Sequence, residues 1–349
     1  PGGLDLGPAR FDGVARTQAV RTDAGGSWRW SPDAQTWLKV HHARSTNTRQ
    51  LDVDAWGPQD SRVRDAMDGV MLRHVVQTPG QRISLGWESA RARDRSGLYD
   101  PGEPFEGSEG ATTVRFDMPW VAGEWQHGPW AWQAGAAWPR LRARYTDRYY
   151  SLITNEDFLA PATAEGGHAR RLRPRAGLSY RFGPGRALHA AYMENIYSPA
   201  THTLAPVAVG AIPIDHQYQR LGSLARKRAV QLDWEIDART FAWGVLSSQS
   251  IANPAFADGS RLLVPNLGIA VSDRAGVLAP VGASGQVVID AYNGTPSFSQ
   301  GRLHQAGAAL NRVLTPRWSV LGSYTWAQSR NTGAQYTGKL LPGVPRHTA

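Results

Sequence analysis

The carboxylates Asp233, Glu235 and Asp237 stand at i, i+2 and i+4, with Gln231 and Lys227 upstream in the same phase. In an extended strand a period of two puts all five on one face. Three carboxylates in a row offer the oxygen ligands that hold Ca²⁺. The same row can instead pair with arginines of neighbouring strands, and pairing is the preferred reading. Asp52 and Asp54 are read the same way. Between Gln81 and Arg91, Arg82 and Glu88 share a polar phase opposite Ile83, Leu85 and Trp87. His41-His42, Asp215-His216 and His347 lack companions at metal-ligand spacing, so neither a metal nor a cofactor is expected. The chain contains no G-x-S-x-G, H-E-x-x-H or phosphate-loop pattern, and nothing singles out a nucleophile. It is expected not to be an enzyme.

A second set of charged residues follows apolar runs. Trp130, Trp132, Ala134, Ala136 and Trp138 share one phase, and Arg140, Arg142 and Arg144 continue it. Arg226 and Arg228 precede Val230, Leu232, Trp234 and Ile236 in the same way. Guanidinium forks match phosphate oxygens, so both sets are candidates for holding outer-leaflet lipid phosphates; snorkelling and loop solvation remain the alternatives. The aromatics expected to form girdles at a membrane boundary are Trp130, Trp132, Trp138, Trp234, Trp243, Trp318, Tyr324 and Trp326.

Strands must position these groups. Gly222 to Ser248 reads as two alternating runs about a polar turn at Asp237-Ala238-Arg239, the second carrying Phe241, Trp243 and Val245. Each run is roughly ten residues long, enough for a tilted strand to cross a bilayer. The pattern repeats with Pro and Gly at the turns. Met67–Gln77 pairs with Gln81–Arg91, Thr113–Trp125 with Trp130–Tyr145, Leu172–Phe182 with Arg186–Asn195, and Leu303–Leu314 with Arg317–Gln328. Long polar connections alternate with these turns: residues 94–111, 147–171, 196–221, 250–302 and 329–345. That sorting of short turns from long loops is the habit of an outer-membrane barrel, and roughly twelve to sixteen strands are expected. Residues 261–264 and 286–292 are candidates for one further hairpin. Residues 1–26 form a poorly patterned entry segment, a first strand or an approach to one. The rest reads with it as a single β-barrel domain over 1–349.

Composition bounds the alternatives. Hydrophobic residues make up 41% of the 349 residues, and no apolar run reaches the length of a membrane helix. The formal charge of +9 raises the question of nucleic acid. Of the 38 basic residues, only Lys39, Lys227 and Lys339 are lysines. The arginines are spread along the chain among tryptophans, with no basic arm, so no nucleic-acid partner is expected.

Three stretches resemble a known family. RLGSLARKRAVQLDWE, residues 220–235, resembles a strand entry in the barrels of TonB-dependent outer-membrane receptors. Residues 302–330, RLHQAGAALNRVLTPRWSVLGSYTWAQSR, resemble a late hairpin, and TGKLLPGVPRHTA, residues 337–349, the approach to the strand after it. The chain is also similar to barrels attached to tetratricopeptide-repeat outer-membrane proteins. The resemblance implies an all-β, antiparallel, up-and-down transmembrane barrel in the outer membrane of a Gram-negative bacterium. It implies outer-membrane lipid as a partner, with either the TonB system or a periplasmic repeat domain. Neither a plug nor a TonB-contacting segment is visible, and both ends read as cut. The chain is therefore expected to be a piece of a longer precursor whose wall is incomplete at its C-terminal end.

The expected function is a transporter or receptor passing a solute across the outer membrane, with the polar phase (Lys227, Gln231, Asp233, Glu235, Asp237, Arg82 and Glu88) lining its lumen. Export of a polysaccharide and a β-rich surface binding module are the alternatives.

Overall fold

The computed structural model describes residues 11–53, 57–100, 103–151, 156–165, 171–198, 203–214, 223–252, 263–265, 286–288, 300–332, 338, 340–341 and 344–348. One antiparallel sheet dominates them. Its first five strands are long: β1 (Phe11–Ser31), β2 (Ala34–Val53), β3 (Gly57–Thr78), β4 (Gln81–Asp100) and β5 (Glu103–His127). Then come β6 (Trp130–Ala137), β7 (Arg140–Ser151), β8 (Glu156–Glu165), β9 (Arg173–Gly183) and β10 (Arg186–Ile196). A small hairpin, β11 (Ala208–Val209) and β12 (Ile212–Pro213), precedes β13 (Leu224–Asp237) and β14 (Thr240–Ala252). The chain closes with β15 (Leu263–Pro265), β16 (Gln286–Val288), β17 (Gln300–Thr315), β18 (Trp318–Asn331) and β19 (His347–Thr348).

The main sheet has fifteen strands, and its path runs β1-β2-β3-β4-β5-β6-β9-β10-β13-β14-β17-β18-β19, with β7 and β8 to one side. Neighbours in the path follow one another in the chain, as in an up-and-down meander, except where β7 and β8, the β11-β12 hairpin and the β15-β16 hairpin intervene. Among the described residues β1 and β19, which end the path, are not paired with each other. β6 and β7 form one line interrupted at Trp138-Pro139, because both pair with β5. Proline has no N–H to give the ladder, yet Trp138 N–H donates to the Pro119 carbonyl at 2.9 Å, so the phase carries across the break.

Tight turns gather at one end. Gly80, Gly128 and Gly185 adopt φ of 76°, 55° and 66° there, a region open to glycine at little cost. The other end differs from the sequence expectation. Residues 94–111 are not a loop: β4 and β5 stay paired from Asp94↔Thr112 to Tyr99↔Gly107. Residues 147–171 likewise include β8, paired with β7. The hairpin expected in 250–302 appears as Leu263–Pro265 paired with Gln286–Val288. The weakly patterned start holds β1, paired with β2 from Phe11 to Ser31. Alternation is poor there because a strand outside a membrane needs no apolar face.

Cross-strand partners share a side of the sheet, so register defines two faces. One is apolar and open: Leu38, Leu72, Trp87, Leu188, Leu232 and Leu310 all lie on it, each 38–49% exposed. The opposite face carries the polar groups and the buried clusters. Phe116, Met118, Trp120 and Ala122 pack there with Ala205, while Ala191, Met193 and Ala229 pack with Val209 and Ile212.

Candidate functional site

The polar face is laid out by register. Arg82, Glu124 and Gln133 stand side by side on β4, β5 and β6. Arg82 Nη1 lies 3.7 Å from Glu124, and Gln133 Nε2 donates to Glu124 at 3.2 Å. Ser179, His189 and Gln231 form the next row on β9, β10 and β13. Ser179 Oγ is 2.8 Å from His189 Nδ1, and His189 Nε2 is 3.1 Å from Asp233. Serine, histidine and carboxylate therefore meet. Strand N–H groups point into the ladder, so this row does not offer the convergent backbone donors an acyl-transfer site needs. We read it as polar lining.

Lys227, Gln231, Asp233 and Glu235 occupy this face with Arg82 and Glu88, and Asp237 closes it at the turn. The partners differ from those expected. Asp233 pairs with His189 and with the Gln231 amide at 2.8 Å rather than with an arginine. Asp237 accepts the Arg239 N–H at 2.8 Å. That bond holds its carboxyl below the usual carboxylate range. No group of three metal-ligating side chains occurs among the described residues. Asp54 and His216 lie outside the described residues, as does the side chain of Asp52.

Residues 203–214 supply what register does not. They belong to the connection between β10 and β13, expected as an outside loop, but they lie against the polar face. Gly210 and Ala211 both have positive φ, 54° and 65°, which makes the tight turn between β11 and β12 a hairpin of the primed type. Its backbone seats on Gly177: a Cβ there would collide with the Gly210 nitrogen, and one on Gly210 would come within 2.8 Å of the Ala190 carbonyl. Val209 and Ile212 are each 1% exposed in their cluster. Polar contacts fix the register. Gln133 Oε1 accepts the Gly210 N–H at 2.8 Å, and Arg175 Nη1 donates to the Pro206 carbonyl at 3.3 Å. Glu88, 1% exposed, accepts from the Thr203 hydroxyl and from the Ala205 N–H at 3.2 Å. A buried carboxylate lacking such donors would be costly.

Sequence reasoning placed Glu88 on this face but missed Thr203, Ala205, Arg175 and Gly177. The only local signal is Val209-Gly210-Ala211-Ile212, a turn flanked by apolar residues. A second segment behaves alike: Leu341 packs on Ala225 and Ile251, its N–H donating to Ser329 Oγ at 3.1 Å.

The apolar face holds Trp130, Trp132, Trp138, Trp234, Trp318, Tyr324 and Trp326. Trp243 does not join them. It faces Asp233 across the ladder, and Phe241 faces Glu235, so both lie on the polar face. A register shift between Glu235 and Asp237 at the turn sets this phase, and an apolar side chain had suggested the other. Arg226 and Arg228 do sit on the apolar face, already engaged: Arg226 Nε is 3.3 Å from Glu194, and Arg228 lies 5.9 Å over the Tyr192 ring. Arg140, Arg142 and Arg144 are exposed on that face, paired across the ladder with Asp117, Arg115 and Thr113.

No protein-family model and no curated protein matches the sequence. Solved structures do. The ferric yersiniabactin uptake receptor FyuA from Yersinia pestis superposes with a TM-score of 0.65 at 11% identity, over 97% of this chain and 47% of its own. The ferric citrate transporter FecA, unliganded, gives 0.58 at 13% identity, over 97% and 46%. The copper transporter OprC gives 0.57 at 12%, over 97% and 50%. The chain thus spans about half the length of these proteins. With the apolar face outward and the polar face inward, it has the fold of the β-barrel wall of TonB-dependent outer-membrane receptors.

Proposed function

We propose that this chain forms part of the wall of an outer-membrane transport barrel in a Gram-negative envelope, within a whole protein that takes up a solute in the manner of TonB-dependent receptors. The polar face lines a hydrated passage, and residues 203–214 narrow it. The tight turns face the periplasm and the long strands face outward. The observation that carries the reading is the segment seated on the inner face, tied by Glu88 and Gln133 beneath an apolar outer surface. Fixed charges in a wet passage select solutes by charge and size, and a folded-in segment sets the bore.

The full-length protein, extracted in detergent and placed in planar bilayers, tests this. Replacing 203–214 by a short Gly-Ser linker should raise conductance several-fold while the heat-dependent gel mobility of a folded barrel persists. Recovery without detergent, or unchanged conductance, would overturn the reading. Radiolabelled solute moving only outward from loaded vesicles would favour export.

A further inference from the structure

Beneath residues 203–214 the inner face holds two hydrogen-bond donors with no acceptor. Trp120 is 5% exposed, and its indole N–H is buried and unbonded. Arg175 gives Nη1 to the Pro206 carbonyl at 3.3 Å, while its Nε–H is buried and unbonded too. Both residues line one cavity of about 10 Å³, with Pro206 and Val209 bordering it from the docked segment. Register leaves this space. Ala122, Gly135 and Arg175 stand side by side on β5, β6 and β9, so Gly135 puts no side chain between the arginine and β5. Gln133 also borders the cavity, but its amide is engaged at both ends. Its Nε2 gives to Glu124 at 3.2 Å and to the Ala208 carbonyl at 3.4 Å, and its Oε1 takes the Gly210 N–H.

Buried donors without an acceptor are costly, and a lining whose unspent groups are all donors selects what fills it. A water molecule accepts from two donors but must also give two hydrogens, and the Pro206 and Gln133 oxygens are already engaged. A monatomic anion has nothing to give. The surrounding charge favours it. Arg175 and Arg73, whose guanidinium carbon is 6.0 Å from the Trp120 ring, outnumber Glu88, while Arg82 and Glu124 offset each other at 3.7 Å. Glu88 has one unbonded oxygen but does not border the cavity. A space of this size admits one small species and excludes sulfate or phosphate. We propose that Arg175 Nε–H and Trp120 Nε1–H hold a chloride ion, which pins residues 203–214 to the wall. The site depends on the seated segment and not on which solute the barrel passes.

The test uses the full-length protein in non-ionic detergent at constant ionic strength, with chloride, bromide, sulfate or gluconate as the anion. Chloride and bromide should raise the thermal midpoint above that in gluconate and slow amide exchange in 203–214. Sulfate should match gluconate. Each variant is read as the difference between anions within one protein, which a loss of packing does not move. Trp120→Phe keeps a ring and removes one donor; losing one hydrogen bond to a charged group should weaken chloride about tenfold. Arg175→Lys keeps the charge without the Nε–H and should lose the halide shift as well. In crystals grown with bromide, the anomalous peak should lie between Trp120 and Arg175. A midpoint and exchange indifferent to the anion would give the cavity to water and overturn the proposal. So would a halide shift undiminished in Trp120→Phe, which would place the anion elsewhere, or a shift as large with sulfate.

Discussion

The inner face has a covered half and a bare half. From β4 to β10, residues 203–214 bury Glu88 and Phe116 to 1% exposure or less. From β13 to β18 the part of the same face next to the tight turns, away from Leu341, leaves Phe241 44%, Trp243 41% and Leu321 68% exposed. Composition does not separate them, since among the described residues each carries two aromatics, Phe116 and Trp120 on one and Phe241 and Trp243 on the other. What separates them is whether glycines and polar partners stand where a second backbone can dock. Gly177 gives the clearance, and Glu88, Gln133 and Arg175 give the bonds. On the bare half Asp233 takes both the Gln231 amide and His189. A wall becomes a seat when its side chains leave donors and acceptors unspent.

Removing the seat's central carboxylate should have the largest effect. Glu88→Ala strips the acceptor from Thr203 and Ala205 and is expected to cost about 3 kcal/mol, read as a lower thermal midpoint together with faster amide exchange in 203–214. Glu88→Gln keeps an acceptor and should recover part of that loss. Gly177→Val pushes a side chain into the Gly210 backbone and should cost about 2 kcal/mol, with exchange again faster in 203–214 and conductance raised. Unaltered exchange in both would mean the two halves are equally open.

The bare half is probed by opposite substitutions on one hairpin. Trp243→Arg should change stability by no more than about 0.5 kcal/mol because its side chain meets water. Leu232→Arg, on the outer face, should cost about 2–4 kcal/mol in a bilayer. Equal costs would return Trp243 to the lipid side. The smallest effect belongs to Asp237, at the turn. The Arg239 N–H holds its carboxyl below the usual 3.8, so its contribution is whole above that value and fades as pH falls through the lower folded value. Asp237→Asn should flatten the acid limb of the thermal midpoint below about pH 4.

Hairpins were legible wherever Pro and Gly punctuate an alternating run, because turn chemistry is local; Pro79-Gly80, Gly128-Pro129 and Pro184-Gly185 all close turns. The polar set from Lys227 to Asp237 was legible for the same reason. Phase was misread once, at Trp243, because a shifted register two residues from a turn reverses the side on which every later residue stands. The extended parts of β4 and β5 looked like loops because Gly107, Ser108 and Gly110 carry no apolar rhythm, although paired strands outside a membrane need none. The docked segment was invisible to sequence because Glu88 and Thr203 meet only after the six intervening strands, β5 to β10, have been laid down.

Strand length has one more consequence. β5 runs for 25 residues, about 80 Å of backbone at roughly 3.3 Å per residue. Inclined as barrel staves are, it rises about 60 Å, whereas the apolar belt is only about 25 Å tall. More than half of the stave thus reaches beyond the apolar belt. Arriving molecules would meet the protein well clear of the lipid, at the top of a chimney rather than at a hole in the floor.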